Sequence, residues 1–88
     1  MEIQVKTEHF RESNGFMDIF NCPLALAIKD VVPEGTSVRV GGTHLYIGRQ
    51  DYLISENWMD LAYIINRMIQ KAKNGIKIET VTVTLTKR

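Results

Sequence analysis

A single cysteine, Cys22, leaves the chain unable to close an internal disulfide. The cross-linked framework of many small secreted domains is therefore excluded, and a reducing compartment is the expected setting. No apolar stretch approaches the ~20 residues that a membrane helix needs, and no basic stretch followed by an apolar run and a small-residue cleavage site opens the sequence. No Asn-X-Ser/Thr acceptor occurs either. The expectation is a soluble, cytoplasmic protein with no membrane partner.

Chemistry-bearing residues are equally scarce. His9 and His44 are the only imidazoles, and with one cysteine they offer no C-x2-C or H-x3-H pair, so no metal is expected. Cys22 stands where a helix dipole can favour a thiolate, yet nothing in the sequence brings either histidine to it as a base. Gly41-Gly42 belongs to a strand-turn-strand pattern, and neither phosphate-loop spacing occurs. Asp51, Glu56 and Asp60 cluster ahead of and within a helical stretch, where turn chemistry and the helix dipole account for them. No catalytic residue and no cofactor is assigned, and the chain is read as a non-enzyme.

What remains is an ordinary globular composition, 44% hydrophobic and 24% charged. At 88 residues it has material for one core, residues 1 to 88 forming a single domain. Ile3, Val5 and Thr7 alternate with Gln4, Lys6 and Glu8, which predicts a strand over residues 3 to 10. Asn14-Gly15 then permits a tight turn that folds Phe16 to Phe20 back on that strand; the alternative is a mobile loop holding Phe10, Phe16 and Phe20. At Asn21-Cys22-Pro23 the period changes to that of a helix carrying Leu24, Ala25, Ile28 and Val31, capped by Asn21 or Cys22 and ended by Pro33.

Val38 and Val40, then Leu45 and Ile47, flank Gly41-Gly42 as a hairpin, and a turn at residues 48 to 51 leads to a short strand, Tyr52 to Ile54. Ser55 is read as the cap of a long helix, with Ile54 and Met59 as its hydrophobic staple. Trp58, Leu61, Ala62, Ile65, Met68, Ile69 and Ala72 form its apolar stripe, and Asn74-Gly75 its stop. Ile76 to Thr86 reads as a strand with a bulge or late start near Glu79-Thr80. Thr80 to Thr86 has no charge, proline or glycine, so it is expected to be central in the sheet or paired with a second copy in a homodimer. The predicted fold class is α+β: a mainly antiparallel sheet of four to six strands with one short and one long helix on one face.

Charge is uneven. Residues 1 to 66 hold 5 Lys/Arg against 9 Asp/Glu, and residues 67 to 88 hold 6 against 1. The basic set Lys71, Lys73, Lys77, Lys87 and Arg88 lacks the interleaved aromatics of a single-strand binder, so nucleic acid is not the expected partner. Helix and strand ends explain much of it. At ~100° per residue, Met59, Tyr63 and Arg67 fall outside the apolar stripe, and these are types enriched at protein interfaces. They are the candidate partner-binding set. Arg39, His44 and Arg49, near the hairpin tips, are the candidate ligand-binding set of a second reading, a dimeric nucleotide-sequestering protein.

The run Asn21 to Lys29, followed by Val38-Arg39-Val40-Gly41-Gly42, resembles the opening of small bacteriophage-encoded proteins with a Cys-Pro-x-Ala-type helix start ahead of a short hairpin. The likeness covers about a third of the chain. It implies a phage product acting in a bacterial cytoplasm, of a size class that often works by occluding a host protein, antiviral defence components included. The expected function is thus a binding protein that inhibits by occlusion.

Overall fold

Alternating apolar and polar residues build five strands: β1 (Glu2–Val5), β2 (Val38–Gly41), β3 (His44–Ile47), β4 (Gln50–Ile54) and β5 (Val81–Lys87). In the computed structural model, which describes all 88 residues, they form one antiparallel sheet in the order β1-β5-β4-β3-β2. Ile3, Val5, Val38, Val40, Leu45, Ile54, Val83 and Leu85 point to one face and are buried. Gln4, Arg39, Tyr46, Leu53 and Thr82 point to the other and are exposed. Three helices cover the buried face: α1 (Thr7–Glu12), α2 (Pro23–Lys29) and α3 (Trp58–Lys73). No helix is long and apolar enough to cross a membrane. The fold is α+β as the pattern implies, with three helices where the sequence reading has two.

The additional helix replaces the second half of the first predicted strand. The chain leaves β1 after Val5, and the Lys6 N–H donates to His9 Nδ1 at 2.9 Å, which closes the first turn of α1. That bond fixes the ring's proton on Nε2, which donates at 2.6 Å to Asp30, the residue that caps the C-terminus of α2. Thr7 Oγ1 donates to the Ile78 carbonyl and accepts from the Ile78 N–H, each at 3.1 Å. Four hydrogen bonds, three of them to the sequence-distant Asp30 and Ile78, thus decide the geometry. His9 and Phe10, adjacent in sequence, are both buried, which a strand alternating between two faces cannot achieve.

α2 starts as expected, with Cys22 as its cap, Sγ accepting from the Ala25 N–H at 3.5 Å, and Pro23 in the first turn. It stops at Lys29, so Val31 lies beyond it and is exposed. α3 starts later than expected. Ser55 stays in the ladder, its N–H donating to the Thr84 carbonyl, and the Glu56 carboxylate extends the pairing by accepting from the Thr84 N–H at 2.8 Å. Asn57 is the cap, its Oδ1 accepting from the Asp60 N–H at 3.2 Å, and Met59 makes no staple because its side chain is exposed. Leu61, Ile65, Ile69 and Ala72 are the buried stripe; each large member contributes roughly 1.5–3 kcal/mol by leaving water.

β4 begins at Gln50, two residues earlier than read, because Gly48 adopts a positive φ of 61° and closes the turn tightly. β5 takes the late start, at Val81. It lies inside the sheet between β1 and β4, the position that the uncharged run Thr80 to Thr86 favours.

Candidate functional site

The outer side of α3 carries Met59, Tyr63 and Arg67, one turn apart along the helix. Met59 is 77% and Tyr63 63% exposed, and Ile64 beside them is also exposed. The Arg67 guanidinium lies over the Tyr63 ring, 5.6 Å from its centroid, and its Nη1 donates to the Tyr63 hydroxyl at 3.4 Å. Burial of the opposite stripe fixes the helix axis, so these three side chains project from a rigid element. A stacked Tyr–Arg pair beside a flexible Met presents flat apolar area with a cation at its edge.

Arg39 and His44 share the open face of the sheet. Arg39 stacks on Tyr46 at 4.9 Å across the β2–β3 pair, and His44 Nδ1 is 3.0 Å from the guanidinium of Arg88. Arg88 also pairs with Asp51 at 3.1 Å. Arg49 lies in the β3–β4 turn, off this cluster. The candidate ligand set therefore splits, two members on the open face and one at a hairpin tip, and the carboxylate on that face, Asp51, is paired with Arg88.

The basic C-terminal residues do not converge. Lys71 and Lys73 end α3, Lys77 follows in the loop, and Lys87 and Arg88 close β5, a seven-residue strand that runs ~20 Å away from that end. Lys73 is engaged besides, its Nζ donating to the Arg11 and Ser13 carbonyls. One quarter of the sequence thus supplies two separated groups of charge, Lys71, Lys73 and Lys77 in one and Lys87 with Arg88 in the other.

Cys22 and the histidines stand apart in their bonding. His9 is held by Lys6 and Asp30, and His44 faces Arg88. Burial pushes the Cys22 thiol up from its ordinary value, against the opposing pull of the Ala25 and Leu24 N–H groups. The helix dipole anticipated for a thiolate is outweighed by desolvation. No three His, Cys, Asp or Glu side chains converge as a metal would require.

One feature has no counterpart in the sequence reading. Between the residue 14–21 segment, the start of α2, the β2–β3 turn and the start of α3 lies a pocket of about 280 Å³, lined mostly by apolar side chains. Phe16 and Trp58 meet at its side with ring centroids 5.2 Å apart. The segment is neither a hairpin on β1 nor unattached: the Ile19 carbonyl accepts from the Val40 N–H at 2.8 Å, on the free edge of β2. Asp18 ties it locally, its Oδ1 accepting from the Phe20 and Asn21 N–H groups. Clustered phenylalanines were the available signal, without a period to say which strand they meet.

No protein-family model, no curated protein and no solved structure matches the chain.

Proposed function

We propose that this chain is a non-enzymatic binding protein that engages another protein through the outer face of α3. One observation carries the reading: Met59 and Tyr63 stay exposed on a helix whose other side is fully packed, with Arg67 stacked on the tyrosine ring. Aromatic, Met and Arg side chains are enriched at interface centres, and a ring already braced by a guanidinium loses little further freedom on binding. The phage resemblance supports a specific version, in which the chain inhibits a host protein by occluding it.

Affinity capture from bacterial lysate tests this, with wild type and Tyr63→Ala as parallel baits. A protein retained by wild type and lost from the variant, with both baits equally folded by circular dichroism, supports the reading. Capture that is indifferent to Tyr63→Ala and Arg67→Ala contradicts it.

A further inference from the structure

We propose that the pocket between α2, the β2–β3 turn and the start of α3 binds a small neutral aromatic molecule on the scale of indole. Its volume, about 280 Å³, is nearly twice that of a ~150 Å³ apolar cavity able to hold benzene, which makes room for two fused rings. The chemistry of the walls is uniform. Leu24, Val40 and Ile65 supply aliphatic surface, and Phe16 and Trp58 supply ring faces tilted by 33°.

None of the lining residues is charged. An ionised ligand entering would lose hydration with no opposite charge to meet, whereas a neutral ring system exchanges water for dispersion contacts. The polar groups carried by the lining side chains are uncharged, the Cys22 thiol, whose burial disfavours the thiolate, and the Trp58 indole N–H, and the Gly41-Gly42 turn adds backbone. Gly42 has a positive φ of 69°, and a Cβ there would meet nothing within 4 Å, so the turn leaves its side of the pocket unobstructed. Met17, 85% exposed, and Ile19 stand among the lining residues at the solvent side. A thioether beside aromatic edges is a favourable contact for a further ring. The site is separate from the outer face of α3, so its failure and that of the partner surface are read independently.

Trp58 is the only tryptophan in the chain, which puts one unambiguous indole N–H signal at the pocket. Proton–nitrogen correlation NMR of the whole protein, titrated with indole and in parallel with indole-3-carboxylate, is the test. Indole should move the Cys22, Gly41 and Gly42 amides and the Trp58 ring N–H saturably, with a Kd on the order of 0.1–1 mM, as befits a fragment-sized ligand. The carboxylate should bind at least ~10-fold more weakly. Val40→Phe, which grows into the pocket, should abolish the indole shifts. Should that variant not fold, Ile19→Asp keeps the test decisive: an unpaired charge at the mouth should weaken indole at least ~5-fold. Equal binding of the two ligands overturns the proposal. So do shifts that never saturate, shifts centred on other exposed apolar residues such as Leu53 and Ile76, and indole binding that survives both variants.

Discussion

Leu61 and Tyr63 stand two residues apart on α3 and meet opposite fates: the first is 3% exposed and the second 63%. Both are large, largely apolar side chains on one rigid helix, so residue type does not separate them. Position relative to the sheet does. The inner stripe holds the fold together, and the outer set contributes nothing to the core, which is the reason for reading it as a surface kept for something else. A substitution on one side should therefore appear in stability and on the other in binding.

The largest expected effect is on the inner side. Leu61→Ala should lower unfolding free energy by roughly 2–5 kcal/mol, the lost transfer of the side chain plus the cavity left behind, measured by urea titration. Against a typical total of ~5–15 kcal/mol this approaches unfolding. A loss under ~1 kcal/mol would mean that α3 is held elsewhere. Asn57→Ala comes next, at about 1 kcal/mol, because the Asp60 N–H loses its cap acceptor. Ser55→Ala should cost less, since Ser55 Oγ meets only the exposed Thr86 hydroxyl; the reverse order would restore Ser55 as the true start of the helix.

The pH dependence of the residue 14–21 segment gives a smaller effect. Backbone N–H donation, first from Phe20 and then from Asn21, holds the Asp18 carboxyl below its ordinary value of 3.8. A group depressed in the folded state contributes stability that is complete above its unfolded pKa and fades as pH falls through the folded one. Asp18→Asn should therefore reduce the acid sensitivity of this segment below about pH 4, read as flatter pH dependence of its amide exchange. The smallest effect on stability belongs to the outer set: Tyr63→Ala should stay within about 0.5 kcal/mol of wild type. A loss as large as that of Leu61→Ala would erase the contrast between the two sides.

The sequence exposed most of the second half of this fold and less of the first, for physical reasons that the residues themselves show. Val38 to Ile54 and Leu61 to Ala72 obey one period each, over lengths where local pattern and tertiary burial agree, and Asn74-Gly75 stops α3 where expected, with Gly75 at φ 82°. The alternation that predicts a strand over residues 3 to 10 holds only to Val5, because bonds from His9 and Thr7 to Asp30 and Ile78, distant in sequence, override it. Ser55 has the chemistry of a cap, and β5, almost thirty residues later, claims its backbone first. Met59, Tyr63 and Arg67 were legible because helical phase alone assigns them outward. The pocket was not, since Phe16, Cys22, Val40 and Trp58 come together only when the residue 14–21 segment docks on β2.

The dissociation constant of a captured partner, compared among wild type, Tyr63→Ala and Lys71→Ala with Lys73→Ala, tests the central claim most directly. The account predicts that Tyr63→Ala weakens binding by roughly 1 to 2 kcal/mol or more, about 5- to 30-fold, with unfolding unchanged. It predicts that the lysine pair changes affinity by less than ~3-fold, as rim charges usually do. Affinity that survives Tyr63→Ala, falls with the lysine pair and drops steeply with salt would contradict it and place the contact at the basic end of α3 instead.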